Sequence, residues 1–172
     1  MPVEMLVGEE NAGWRLITTQ LNHERVMLGP AGKIAAIYDK VHAWASKPGG
    51  NGVTPPIEHD DVLRLLGEVK AIWRVNELLN WQVAAGGEEI NVADAAATKV
   101  FGTERIQRVG RLAEEIVGKY GNPPAESATS ELLEWLDSQT KRNLVITFGG
   151  GVNEVMREMI AASGLNVPRV PR

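Results

Sequence analysis

The chain is 172 residues long and carries a formal net charge of −4, with acidic and basic residues mixed along its length. That length suits one domain with a sizeable core, and the charge gives no electrostatic reason to expect nucleic acid or an anionic membrane as a partner. There is no cysteine, which excludes structural disulfides, thiolate metal sites and a cysteine nucleophile, and is compatible with the cytoplasmic location expected here.

In chain order, Met1-Pro2-Val3-Glu4-Met5 lacks the basic and apolar segments of a signal peptide. No apolar run approaches the roughly 18 residues of a membrane span. Residues 2–8 read as a short extended piece ending in a glycine turn. A strand this short needs neighbours to pair with, and none follows. Residues 1–11 are therefore expected to be the remnant of a preceding domain or linker. A first helix is predicted from about Ala12 to Ala45, interrupted at Gly29-Pro30, because proline removes a backbone donor and clashes with the carbonyl of Val26. Its first half carries Trp14, Ile17, Leu21 and Leu28 on one face, and its second half Ile34, Ile37, Val41 and Trp44.

Residues 47–56 form a Pro/Gly-rich loop. A second helix is expected from an Asp60 N-cap, with Val62, Leu65, Leu66, Val69, Ile72, Trp73 and Leu79 as its stripe. A third runs from Asn91 to about Lys119 through Val100, Ile106, Val109, Leu112, Ile116 and Tyr120, and stops at the glycines and prolines of 118–124. A fourth spans Ser127 to Asn143. Residues 144–148 are β-prone but isolated. Gly149-Gly150-Gly151 precedes a last helix over 153–163, and 164–172 is a tail. Four or five amphipathic helices without strand pairs predict an all-α, four-helix-bundle-like domain over 12–163.

Two features could carry chemistry. Glu24 falls on the apolar face of the first helix, three residues after Leu21 and four before Leu28. A carboxylate placed in a core is either paired with a nearby Arg or Lys or held where burial disfavours its charged form, as a general base near neutrality requires. Gly149-Gly150-Gly151 before a helix lets a ligand approach the backbone closely, or serves as a flexible turn; it lacks the Gly-Lys-Ser/Thr ending of a Walker loop. The histidines, His23, His42 and His59, do not form the Glu-x-x-His pairs of a di-iron bundle, and no metal site is expected. No nucleophile elbow supports a serine triad.

These residues resemble, in order, the C-terminal helical domain of the acyl-CoA dehydrogenases. Residues 2–14 are similar to the junction after the family's middle β-domain. Glu115 with Gly118-Lys119-Tyr120-Gly121 resembles its Gln-x-x-Gly-Gly-x-Gly loop, and residues 147–161 resemble the segment reading Thr-Ile-Tyr-Glu-Gly-Thr-Ser-Glu-Ile-Gln-Arg. The likeness is strongest to actinobacterial members that degrade steroid side chains as hetero-oligomers.

The resemblance implies FAD-dependent α,β-dehydrogenation of an acyl-CoA thioester, with electron-transfer flavoprotein as acceptor and a second dehydrogenase subunit as partner. It places Gly150 where most members carry the catalytic glutamate. Leu21-Asn22-His23-Glu24-Arg25 matches the Leu-x-x-Glu-Arg context of the minority that carry the base on the first helix, so Glu24 is the expected base. Asn22, His23, Arg25 and Gly150 are implied at the acyl-CoA site. Gly149, Gly151 and Glu154 are implied near the flavin, and Glu115, Gly118 and Lys119 at the FAD of a neighbouring subunit.

Glu115 and Lys119 depart from the usual Gln and Gly, and the Arg-x-x-Phe-Gly flavin motif is missing from 45–55. A partner is therefore expected to complete the cofactor site, and the chain alone to be inactive and to bind FAD poorly. The competing expectation is a catalytically silent subunit that only completes its partner's site.

Overall fold

The computed structural model describes residues 2–27, 29–48, 54–86, 90–121 and 127–168. Leu28, residues 49–53 of the Pro/Gly loop, 122–126 and the last four tail residues lie outside that set, as do the side chains of Asn22, His23 and Arg25. Among the described residues six α-helices follow in order: α1 Gly13–Met27, α2 Ala31–Ala45, α3 Asp60–Ala84, α4 Val92–Tyr120, α5 Ala128–Asn143 and α6 Asn153–Met159, which runs on as a π-helical turn over Ile160–Gly164. Among the described residues there is no strand, and no helix is long and apolar enough to cross a membrane.

Local chemistry sets the ends. The Asn91 side chain accepts from the amides of Ala93 and Asp94 and starts α4. Ser127 and Ser130 form a reciprocal capping box at the start of α5. Asp60, expected as an N-cap, is instead the first helical residue of α3. His59 occupies the cap without a side-chain bond, and Asp60 and Asp61 place negative charge against the positive end of the helix. The break expected at Gly29-Pro30 separates α1 from α2.

The central helix is α4. Ile34, Ile37 and Val41 of α2, Val62, Leu65 and Val69 of α3, and Leu136 of α5 close around Ile106, Val109 and Ile116 of α4, all buried. Burying each such side chain contributes about 1.5–3 kcal/mol. Helix α5 runs back along α4, from Thr129 beside Gly121 to Thr140 beside Gly110. Helices α1 and α6 pack on α4 as well. At Gly102 a Cβ would lie 2.5 Å from Pro30 Cδ and 2.8 Å from Asn76 Nδ2, so only glycine lets the α1–α2 break sit against α4. Asn76 is fully buried there, and neither its amide nitrogen nor its oxygen has a hydrogen-bond partner.

Three expectations are corrected. Residues 2–8 are not an extended strand; Val3–Met5 is an exposed 3-10 turn. The β-prone 144–148 segment holds a 3-10 helix, Val145–Thr147, because no neighbouring strand exists to pair with it. The face of α1 that carries Glu24 is not buried. Trp14 is 81% exposed, Ile17 42%, and Glu24 is exposed too. The reason is packing: α1 rests chiefly on α4 alone, so one helix covers only part of its apolar face.

Candidate functional site

The Val145–Thr147 helix delivers the chain into Gly149-Gly150-Gly151, and α6 starts two residues later at Asn153. Gly150 and Gly151 adopt φ of 67° and 103°, a conformation that side chains disfavour, which explains two of the three glycines. The turn is fastened from beneath. Lys99 of α4 is fully buried, and its Nζ donates to Thr147 O at 2.9 Å, Gly151 O at 2.7 Å and Asn153 Oδ1 at 2.6 Å. Asn153 Nδ2 donates to Thr103 Oγ1 and Glu104 Oε1, and Arg157 of α6 holds both oxygens of Glu104 at 2.7 and 2.9 Å. A polar seam thus joins α4 to α6 where an apolar one would be expected.

Beside this seam lies an open cleft of about 380 Å³, lined by Gln107 and Arg111 of α4, Thr147, Phe148 and the start of α6 including Glu154. Phe148 and Val152, the residues on either side of the three glycines, both line it. Helix α1 also packs on α4. The α1–α2 break meets α4 at Gly102 and the glycine turn meets it at Lys99, three residues and about 4.5 Å of axial rise apart. The break that ends the Glu24 helix and the turn of Gly149, Gly150 and Gly151 therefore meet the same half of α4, with Glu154 at the start of the helix that follows.

Glu115, Gly118 and Lys119 are exposed at the other end of α4, a helix on which the 20 residues from Lys99 to Lys119 span about 30 Å. They do not join the glycine turn within this chain. Lys119 is engaged locally: its Nζ donates to Asp61 Oδ2 at 2.5 Å, and Tyr120 donates to Asp61 Oδ1 at 2.5 Å. Those two donors hold the Asp61 carboxyl at about 2, below its usual 3.8, and the same carboxylate raises Lys119 and Tyr120. The ring of His59 lies 4.6 Å from that of Tyr120.

Sequence reasoning missed Lys99, Glu104 and Arg157. A lysine at a core-facing position of α4, with Val100 and Thr103 around it, was the available signal. Among the described residues no group of three or more His, Asp or Glu could hold a metal. FAD fits these groups in part: Arg111 and Gln107 supply donors in the cleft, while nothing in residues 45–55 reproduces the Arg-x-x-Phe-Gly motif.

Comparison with known proteins gives a consistent picture. The family model "Acyl-CoA dehydrogenase, C-terminal domain" matches residues 11–165. Acyl-CoA dehydrogenase FadE29 of Mycobacterium tuberculosis is 83% identical over the whole chain, which covers 44% of that protein. Among solved structures, the ChsE4-ChsE5 complex from Mycobacterium tuberculosis superposes with a TM-score of 0.83 at 38% identity, over 99% of this chain and 45% of that one. The Tcur3481-Tcur3483 steroid ACAD gives 0.81 at 41% identity, over 99% of this chain and 44% of that one. The chain spans less than half the length of these relatives.

Proposed function

The chain belongs to the acyl-CoA dehydrogenase family as its C-terminal domain, and from that premise we propose that it is part of an FAD-dependent enzyme that introduces a double bond into an acyl-CoA, with Glu24 as the base. The single observation that carries this reading is the convergence of the Glu24 helix and the glycine turn on one half of α4. Gly150 carries no side chain where most members of the family carry their glutamate, and α1 carries Glu24 in its place.

When bound, FAD supplies the two-electron acceptor. Glu24 takes the α-proton of the thioester, and the β-hydrogen leaves with its electron pair, so that the Cα–Cβ bond becomes double. Asn22, His23, Arg25 and Gly150 line the acyl-CoA. Gly149, Gly151 and Glu154 contact the flavin of this subunit, and Glu115, Gly118 and Lys119 that of a neighbour. The placement of the two cofactor groups at opposite ends of α4 supports that division, because one dinucleotide does not need both from one chain.

The substrate class is a steroid side-chain thioester and the partner a second dehydrogenase subunit. Solved relatives named as a steroid ACAD and as a two-component complex support this. A cytoplasmic location and electron-transfer flavoprotein as acceptor complete the reading. The exposure of Glu24 supports an inactive isolated chain, since a base open to water lacks the environment that tunes it.

The test is anaerobic mixing of the complete parent, co-expressed with its partner, with a steroid side-chain CoA thioester and with a straight-chain one. Flavin bleaching by the steroid thioester supports the proposal, and an unchanged flavin spectrum with both rejects it. A second reading, a silent subunit completing its partner's site, is favoured by Gly150 at the family's usual glutamate position; there Glu24 is an exposed surface carboxylate.

A further inference from the structure

We infer that Lys99 is the positioning residue of the Gly149–Gly151 turn, and that its ammonium selects, among the shapes the glycines permit, the backbone shape presented to the acyl thioester and the flavin. The inference rests on the function proposed above.

Three consecutive glycines have more conformational freedom than any other tripeptide, so a single shape must be imposed from outside. An ammonium group has three donors diverging from one nitrogen. Here they account for Thr147 O before the glycines, Gly151 O at their end, and Asn153 Oδ1 beyond. The acceptors bracket the turn, and Lys99 is fully buried beneath it. Because a trans peptide points its C=O and the next N–H in opposite directions, drawing Gly151 O onto Lys99 turns the Val152 N–H away from α4. With glycine on the near side, that peptide would flip readily if the ammonium were absent.

The rest of the seam is placed to hold the lysine's target rather than the turn. Thr103 and Glu104 fix the Asn153 amide, and Arg157 fixes Glu104. Arginine is not an equivalent substitute, because its donors lie in one plane and spread over several nitrogens.

The experiment compares Lys99→Met, Lys99→Arg, Asn153→Ala and Ile106→Val in the complete parent enzyme with its partner. Three quantities are read: thermal midpoint, flavin reduction by a CoA thioester well below that midpoint, and hydrogen exchange of amides 148–152. Lys99→Met and Lys99→Arg are expected to slow flavin reduction about tenfold or more. They should also speed exchange of the turn amides about tenfold. Ile106→Val, which thins the buried core and leaves the lysine–turn bonds and the residues that hold them in place, should lower the midpoint but keep reduction within about twofold.

If Lys99→Met does not assemble, Asn153→Ala removes one of the three acceptors and is expected to speed exchange at the turn by about threefold. Lys99→Met (or Asn153→Ala in its place) that lowers only the midpoint, with reduction and turn exchange as in the parent, would overturn the inference and leave Lys99 a structural staple. Should the parent itself not be reduced by any CoA thioester, the proposed function fails, while hydrogen exchange still decides whether Lys99 shapes the turn.

Discussion

The two halves of α4 are built on different principles. Its second half is enclosed by α2, α3 and α5 through Ile37, Val41, Val62, Leu65 and Leu136, and is held by apolar burial that the chain supplies itself. Its first half carries a buried lysine, a polar seam to α6, a tight glycine contact with Pro30, and α1 with Trp14 and Glu24 facing solvent. Burial without direction tolerates change as long as volume is kept. Hydrogen bonds to one ammonium fix a geometry. The molecule keeps its stability in one half and its candidate chemistry in the other.

Substitutions break that contrast in order of size. Ile106→Ala, in the enclosed half, should cost about 3 kcal/mol by denaturant unfolding, because Ile106 is fully buried among helices that cannot all collapse onto the gap. A cost below about 1 kcal/mol would show that the core is loosely packed there.

Gly102→Ala acts in the first half. Its Cβ would press on Pro30 and Asn76, costing about 1–3 kcal/mol. It should also slow flavin reduction in the parent by shifting α1, whereas Ile106→Ala should not. A smaller effect belongs to Asp61, whose carboxylate ties the end of α4 to the start of α3. Its folded pKa is depressed to about 2 from 3.8, so its contribution is present above about pH 4 and lost as pH falls through about 2. Asp61→Asn should flatten the acid limb of the stability curve in that window. A third of the Asp61 side chain is exposed, so added salt should shrink the difference. Smallest of all, Trp14→Ala should change the stability of the isolated chain by no more than about 0.5 kcal/mol, since Trp14 is 81% exposed. In the complete parent the same change should cost more, and equal costs would mean that nothing covers this face.

The enclosed half was legible from sequence because its signals are local and periodic. The stripes through Ile34 and Ile37, Val62 and Val69, and Ile106 and Ile116 each marked a buried face, and Asn91 and Ser127 marked two helix starts. Periodicity identified the apolar face of α1 equally well, but it cannot say what covers a face, and here Trp14 and Glu24 remain open. Residues 144–148 misled for a related reason: β-propensity in Leu144, Val145 and Ile146 means little without a strand to pair with. Lys99 escaped because a single lysine within a helical stripe looks like a solvated neighbour until its three acceptors, 48 to 54 residues later, fold over it. Of the candidate site, the glycines and Glu24 were readable as residue types, while the seating of the α1–α2 break and of the glycine turn on α4 depended on Gly102 and Lys99, contacts between distant parts of the chain.

Stopped-flow flavin reduction by a steroid side-chain CoA thioester, in the complete parent with its partner and with Glu24→Gln beside it, tests the central claim most directly. With FAD content and assembly unchanged, Glu24→Gln should slow reduction by about a thousandfold or more. Reduction within about tenfold of the parent would contradict the account, placing the base on another residue and leaving this chain in the supporting role.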